Sequence, residues 1–178
     1  MRILQVMAGA KFGGAEAFFT RLVVALRRAG MHQRVVIRRD KHRAEILRQG
    51  GIEPVEFRFG GPLDILTRMG LKREIASFTP QIVMTWMNRA STMCPKGNFL
   101  HVARLGGYYD LKYYQNCDHL IGNTQDIVGY LVDKGWPAER AHYLPNFVSG
   151  SPADPLPREG FYTPNDAPLL LALGRLHE

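Results

Sequence analysis

Two glycines and an acidic residue follow the first apolar segment of the chain, in the run Lys11-Phe12-Gly13-Gly14-Ala15-Glu16. Glycine lets the backbone approach a ligand closely, and the start of a helix attracts negative charge. The run matches neither the dinucleotide fingerprint nor the Walker A loop. We therefore consider Gly13 and Gly14 candidates for a phosphate-binding loop, with a purely structural tight turn as the alternative. Glu16 is a candidate ligand contact, with a helix cap as its alternative.

An arginine follows a fully apolar run near the end of the sequence, in Leu171-Ala172-Leu173-Gly174-Arg175-Leu176. Such a run is typical of a central strand in a parallel sheet, and ligands bind at the carboxyl ends of these strands. A guanidinium group there can bind a diphosphate through paired, charge-assisted hydrogen bonds. Arg175 is therefore a candidate diphosphate-binding residue, and a chance Gly-Arg pair at a strand end is the alternative.

Polar and aromatic side chains also follow two further predicted strands, at 81–86 and 99–105. The carboxyl ends of parallel strands meet at one edge of the sheet, where open α/β sheets bind ligands. Tyrosines there can stack on a sugar, although packing is the commoner use of a tyrosine. Asp110 is the only candidate that we name for a catalytic residue. The candidate ligand contacts at this edge are Asn88, Arg89, Tyr108 and Tyr109.

The elements that would position these residues alternate between strand and helix along most of the chain. Apolar runs predict strands, whereas apolar residues three to four positions apart predict helices. Short connecting loops then predict an α/β fold, a Rossmann-like parallel sheet with helices on both faces. Pro54 indicates an edge position for the third strand, and Asn123 with Asp126 indicates the start of the last helix. The predicted strands are 2–7, 35–37, 52–57, 81–86, 99–105 and 118–122, and the predicted helices are 15–29, 41–49, 62–78 and 124–134.

The composition changes after Leu144, where six of the eleven prolines occur. A proline-rich stretch of this kind is typical of an extended linker. It leads to the apolar run Leu169–Leu173, which no further element follows. We expect residues 1–148 to form one Rossmann-like domain, 149–167 a linker, and 168–178 the first strand of a second domain that this sequence does not contain.

Four motifs occur in order along the chain: Gly13-Gly14-Ala15-Glu16, His119-Leu120-Ile121-Gly122-Asn123-Thr124, Leu144-Pro145-Asn146-Phe147-Val148 and Leu173-Gly174-Arg175-Leu176. In this order and at this spacing they resemble the group 1 family of retaining GT-B glycosyltransferases, over nearly the whole chain. The resemblance implies the N-terminal, acceptor-side half of an enzyme that moves a sugar from a nucleotide-sugar donor to a glycan or lipid-linked acceptor. Members of this family commonly act in lipopolysaccharide or exopolysaccharide biosynthesis, so the resemblance implies this setting for the sugar transfer.

The resemblance also implies roles for individual residues. Gly13 and Gly14 would form the loop that approaches the donor phosphate and the acceptor. Arg175 would bind the donor diphosphate, and Asn146 would shape the hinge between the domains. The sequence has no Asp-x-Asp motif and no metal-ligand spacing, so we expect neither a metal nor a cofactor. The lysine and the acidic pair that usually follow this arginine in the family lie beyond Glu178, so we expect the chain alone to be inactive.

Two positions depart from the pattern of the family. Phe147 stands where Pro-Asn-Gly would place a glycine, which removes a flexible residue from the hinge. Gly106 stands where many relatives carry a histidine, so the catalytic residue stays unassigned. The second departure keeps a rival hypothesis open, namely a non-catalytic Rossmann-type module that binds a nucleotide or another ligand. His101, which lies earlier in a predicted strand, is expected to be a core or sheet residue.

Charge and composition narrow the choice of partners. The net charge of +7 favours anionic partners. The basic residues form no recognisable nucleic-acid-binding module, so we expect no nucleic acid and consider peripheral contact with an anionic membrane surface. Only two cysteines occur, and no apolar run reaches the roughly 20 residues of a membrane span. We therefore expect a cytoplasmic protein without a disulfide, working at the inner face of a bacterial membrane.

Overall fold

Seven parallel strands form one sheet in the computed structural model, which describes residues 1–61, 63–147, 154, 158–164, 166–170 and 172. The strands are β1 Arg2–Met7, β2 His32–Arg38, β3 Val55–Phe57, β4 Ile82–Trp86, β5 Leu100–Leu105, β6 His119–Gly122 and β7 Ala141–Tyr143. The helices are α1 Gly14–Arg28, α2 Lys41–Gln49, α3 Ile65–Phe78, α4 Met87–Met93 and α5 Gln125–Asp133. The strands lie in the order β3-β2-β1-β4-β5-β6-β7. The predicted Rossmann-like α/β sheet is therefore confirmed.

The position of each strand follows from its apolar content. β1 pairs with both β2 and β4 and is buried from Ile3 to Met7, as expected for a run that is apolar apart from Gln5. β3 is only three residues long and lies at one edge. Its edge position confirms the prediction from Pro54, because proline cannot donate a hydrogen bond to a second neighbouring strand.

Helices cover both faces of the sheet, as predicted. On one face α1 and α2 pack against Met7, Ile37 and Trp86, with Phe18 and Phe19 beside the indole ring. On the other face α3 and α4 pack against the alternate residues of the central strands, and α5 packs against β5 and β6. Within the part of the chain that the structure describes, no helix is both long and apolar enough to cross a membrane.

Two short elements are absent from the predictions. α4 has seven residues and β7 has three, which is too few to show a periodicity along the sequence. α4 begins directly after β4, so Asn88 and Arg89, the residues predicted to follow the end of this strand, belong to the first turn of the helix. β7 extends the sheet beyond β6 and lets the chain after it reach the carboxyl edge.

Two helix starts also differ from the predictions. The N-cap of α5 is Thr124, whose Oγ1 accepts a hydrogen bond from Ile127 N at 3.1 Å, and the prediction of Asn123 is wrong. Thr124 has the extended backbone that an N-cap requires. α3 begins at Ile65 because the side chain of Asp64 caps it, whereas the predicted helix starts at Pro62, which lies outside the described residues.

The end of the chain forms a second compact unit, Val148–Glu178, after the first unit, Met1–Phe147. Within the second unit the structure describes a short 3-10 turn, Arg158–Phe161. About half of the predicted linker at 149–167 and most of the predicted strand at 168–178 lie outside the described residues, and both stay predictions.

A buried polar network joins β4, α4 and β5. His101 Nε2 lies 3.0 Å from Thr85 Oγ1, which lies 2.8 Å from Ser91 Oγ. The other ring nitrogen, Nδ1, lies 3.0 Å from the carbonyl oxygen of Asn116. Cys117 Sγ lies 3.7 Å from the same Nε2, and both cysteines of the chain are free and buried. His101 is thus a hydrogen-bonded sheet residue, as expected, and burial lowers its pKa.

This network gives the fold a pH dependence. A histidine whose pKa is lowered in the folded state stabilises the fold fully above its ordinary pKa of about 6.5, and this contribution is lost as the pH falls below that value. We expect the melting temperature to fall more steeply between about pH 7 and pH 5 in the wild-type chain than in His101→Gln, which cannot take up a proton. Equal slopes in the two proteins would show that other groups dominate.

Candidate functional site

The loop between β1 and α1, residues 8–13, encloses the carboxylate of Glu16. Glu16 is only 6% exposed, and its Oε1 accepts a hydrogen bond from Ala10 N at 2.7 Å. A Cβ atom added to Gly9 or to Gly13 would collide with this carboxylate. Glu16 therefore supports the loop from within and does not cap its own helix, whereas its role as a ligand contact stays a prediction. The sequence shows the glycine spacing but not the buried acid that requires it.

A second buried charge fixes the same loop from the side of α2. Arg43 is 4% exposed, and its Nη2 donates to the carbonyl oxygens of Ala10 at 2.6 Å and Lys11 at 3.2 Å. Sequence reasoning missed this residue, since no signal separates it from its exposed neighbours in Lys41-His42-Arg43. Two opposite charges thus fix one short piece of backbone at the carboxyl edge of the sheet.

The start of α1 is open to a ligand. No side chain caps this helix, so the first N–H groups of α1 have no side-chain acceptor among the described residues. A Cβ atom added to Gly14 would meet no atom within 4 Å, whereas one added to Gly106 would lie 3.9 Å from Ala15 Cβ. Gly106 therefore lies beside the first turn of α1, which begins at the exposed Gly14. An uncapped helix start beside open space can accept an anion.

The two tyrosines after β5 have different environments. Tyr108 is exposed, its hydroxyl group is hydrogen-bonded to the Asp126 carboxylate, and its ring lies edge-on to Tyr130 at 5.3 Å. Tyr109 packs against the core between β5 and α5, and its carbonyl oxygen accepts from the Tyr130 hydroxyl at 3.3 Å. Tyr108 is thus the one with a ring face available for stacking. Tyr109 mainly packs in the core, which was the alternative to stacking on a ligand.

Asp110 is engaged locally. Its Oδ1 accepts from Lys112 N at 2.9 Å, and its Oδ2 lies 2.9 Å from Lys112 Nζ. These contacts lower its pKa, so the carboxylate is ionised at neutral pH. The residue caps the 3-10 turn Leu111–Tyr113 at the exposed surface. Its catalytic role stays a prediction.

The junction of β4 and α4 contains a strained residue. Met87 has a φ of 71°, in the left-handed region that side chains other than glycine rarely adopt. Asn88 follows it, half-buried in the first turn of α4. Arg89 donates from Nη1 to the carbonyl oxygen of Phe59 at 3.2 Å, which anchors the loop after β3. Backbone strain of this kind is concentrated at functional sites, so Asn88 stays a candidate contact.

A buried arginine at the end of β5 binds the segment that leaves the sheet after β7. Arg104 is 2% exposed, and its Nη2 donates to Leu144 O at 2.8 Å and to Asn146 Oδ1 at 2.9 Å. Its guanidinium carbon lies 4.5 Å from the ring centroid of Phe18 and 5.1 Å from that of Trp86. No carboxylate within the described residues forms an ion pair with it. Burial lowers its pKa to about 10, which leaves it charged at neutral pH.

Phe147 explains one departure from the family pattern. Its ring packs edge-on against Phe18 with the centroids 4.9 Å apart. With the two bonds from Arg104, this contact ties the segment 144–147 to the sheet. Asn146 is thus part of a fixed segment at the point where we predict a hinge.

The structure therefore brings most of the predicted residues to one edge. Arg175 lies outside the described residues, and its role stays a prediction. In the described part of the chain, no three His, Cys, Asp or Glu side chains are grouped so that they could bind a metal ion. The residues at the carboxyl edge are Gly13, Gly14, Asn88, Arg89, Gly106, Tyr108, Tyr109, Asp110 and Asn146.

The residues that match a known protein family include all of these residues at the carboxyl edge. Residues 12–150 match the family model described as Glycosyltransferase Family 4. The chain belongs to glycosyltransferase family 4. The match begins in the loop before α1 and ends after Asn146, so it includes every described site residue.

Two curated relatives come from Rhizobium meliloti (strain 1021). The lipopolysaccharide core biosynthesis glycosyltransferase LpsD is 32% identical in an alignment that covers 98% of this chain and 51% of LpsD. The lipopolysaccharide core biosynthesis glycosyltransferase LpsE is 34% identical in an alignment that covers 94% of this chain and 50% of LpsE. The chain thus spans about half the length of these relatives.

The solved structures show the same half-molecule. Anabaena Alr3699/HepE in complex with UDP superposes with a TM-score of 0.65 at 18% identity, over 82% of this chain and 44% of that one. A likeness at this identity shows the fold alone. The predicted fold, a Rossmann-like half of a GT-B glycosyltransferase, is confirmed for this family 4 chain.

Proposed function

We propose that this chain is the acceptor-side domain of a retaining hexosyltransferase, which moves a sugar from a nucleotide-sugar donor to a glycan or lipid-linked acceptor. The observation that carries the proposal is the family match over the segment that builds the carboxyl edge. Lipopolysaccharide biosynthesis, the role printed in the names of LpsD and LpsE, is the proposed setting.

The geometry of the edge supports a reaction without a protein base. In retaining front-face transfer the bond between the anomeric carbon and the donor phosphate breaks, and the acceptor oxygen bonds to that carbon. The acceptor proton then passes to the departing phosphate oxygen. Gly106 supplies no side chain for proton transfer, and the N–H groups at the start of α1 can stabilise negative charge beside it.

Two further parts of the proposal concern the donor. Arg175 is proposed to neutralise the donor diphosphate in place of a metal ion or another cofactor. The chain spans about half the length of LpsD and LpsE, and it is proposed to be inactive alone. A cytoplasmic location with peripheral contact to an anionic membrane is proposed from the net charge of +7.

A transfer assay tests the proposal. The product of the complete reading frame would be incubated with truncated lipopolysaccharide acceptors and a panel of UDP-, GDP- and ADP-sugars, with and without a chelator. We expect transfer from one donor with retention of the anomeric configuration, unchanged by the chelator and lost in Arg175→Ala. A folded protein that binds and transfers none of these donors would instead favour the non-catalytic binding module.

A further inference from the structure

A pocket of about 270 Å³ lies between the ends of β1 and β2, next to the loop that encloses Glu16. The loop residues Gly9, Ala10 and Lys11 form one wall, and Arg38 and Arg39 form the other. The buried Arg43 also lines it. The pocket therefore has four cationic side chains around a small concave space.

These cations lack acidic partners. Within the described residues, none of Lys11, Arg38 and Arg39 lies within 4.0 Å of a carboxylate oxygen. Asp40 is the single acid that lines the pocket, and its Oδ1 accepts from Arg43 N at 2.9 Å as the N-cap of α2. One carboxylate engaged by a helix end cannot neutralise four cations.

A second pocket of about 250 Å³ continues the positive surface. It shares Arg39 with the first pocket and adds Arg58 and Arg73. Its one acid, Asp64, accepts from the backbone N–H groups of Gly60 and Thr67, which hold its pKa near 2. The cationic surface thus extends along the ends of β1, β2 and β3, on one side of the open space at Gly14.

We propose that the pocket between Lys11 and Arg39 binds an oxyanion, a phosphate or carboxylate group, carried by the saccharide acceptor. The assignment to the acceptor rests on the proposed function, whereas binding of the oxyanion does not. Guanidinium groups suit this ligand because their N–H groups form paired, charge-assisted bonds with two of its oxygens. Arg43 restrains the wall on the loop side, since its guanidinium is buried and bonded to the backbone of Ala10 and Lys11.

The pocket shares Ala10 and Lys11 with the loop that leads to Gly13. An acceptor fixed by its anionic group here would therefore present a hydroxyl group towards the open space beside Gly14 and Gly106. This surface would select acceptors that carry negative charge near the reacting sugar. Neutral glycans would lack that attachment.

The chain offers a matched pair of variants. Arg38→Gln with Arg39→Gln removes two adjacent charges at the pocket. Arg27→Gln with Arg28→Gln removes two adjacent charges at the end of α1, which lies at the opposite edge of the sheet. Both double variants lower the net charge equally, so any general electrostatic effect is the same in the two proteins.

Titration of the 178-residue chain with inorganic phosphate, followed by amide chemical shifts at constant ionic strength, measures the site. We expect saturable shifts at Ala10, Lys11 and Asp40. The dissociation constant should rise about tenfold in the pocket variant, which corresponds to about 1.4 kcal/mol of binding free energy. It should change little in the control. A titration that does not saturate, or phosphate binding that is weakened equally in both double variants, would overturn the proposal.

A second pair of measurements separates the two sources of oxyanion. Vesicles of phosphatidylglycerol and phosphatidylethanolamine should bind both double variants about equally if the pocket serves a saccharide. A loss of vesicle binding confined to the pocket variant, without a change in the KM for acceptor, would overturn the acceptor assignment in favour of a lipid headgroup.

In the active full-length product, we expect the pocket variant to raise the KM for a phosphorylated acceptor but not for its dephosphorylated form. Transfer that is intact but insensitive to the acceptor phosphate would overturn the inference and leave the proposed function standing.

Discussion

Gly13→Ala is expected to destabilise the domain by roughly 1–3 kcal/mol, the usual cost of forcing an extra methyl group into a filled space. The added Cβ would collide with Glu16 Oε2, and Glu16 is buried beneath the loop with a bond to Ala10 N. The carboxylate can leave only by breaking that bond, which frees the loop. We therefore expect a lower melting temperature together with loss of transfer in the full-length product.

Gly14→Ala is the matched control, one residue further along. A Cβ atom there meets nothing within 4 Å, and Gly14 is the first residue of α1. Alanine is the better helix former, so stability should stay constant or rise by up to about 1 kcal/mol. If the space beside it receives a substrate, transfer should nevertheless fall. Equal melting temperatures for Gly13→Ala and the wild-type chain would contradict the account of Glu16.

Arg104→Ala is expected to cost about 2–4 kcal/mol of stability, in the range of large-to-small substitutions in a core. The change removes a buried side chain that lies over Phe18 and Trp86. It also removes the donor to Leu144 O and Asn146 Oδ1. We therefore expect faster amide hydrogen exchange in the segment 144–147, in addition to a lower melting temperature.

Two further variants separate packing from hydrogen bonding. Arg104→Met keeps a long side chain over the rings, so it should restore much of the stability without restoring slow exchange in the segment. Arg140→Met removes an arginine over Trp136 at the opposite edge of the sheet, and it should leave the exchange of 144–147 unchanged. Slow exchange in Arg104→Met would show that Phe147 alone fixes the segment.

The fold could be predicted because its signals are local. Apart from Gln5, the run Ile3–Met7 is apolar, which indicates a central parallel strand, and Pro54 marks an edge. The start of α5 was harder, since Asn123 and Thr124 are both good N-cap residues and only the backbone conformation distinguishes them. α4 and β7 are too short to carry a periodic pattern.

The site could be predicted only in part, because its supports are long-range. Gly13 and Gly14 look alike in the sequence, yet one glycine makes room for a buried acid and the other borders open space. Arg43 and Arg104 donate hydrogen bonds to backbone carbonyl groups that lie 33 and 40 residues away along the sequence. No local sequence pattern indicates such contacts. The sequence identifies the edge that carries the site, whereas the buried charges that shape this edge become visible only in three dimensions.

The most direct test of the account is a titration of the 178-residue chain with a truncated lipopolysaccharide-core oligosaccharide, followed by amide chemical shifts. We predict saturable shifts at Gly13, Gly14, Asn88, Gly106 and Tyr108, which belong to the three segments that follow β1, β4 and β5 and meet only at the carboxyl edge. The Gly14→Ala chain, equally folded, should bind more weakly. Shifts confined to other surfaces, or no saturable shift with any core oligosaccharide, would contradict the assignment of this edge to a glycan acceptor.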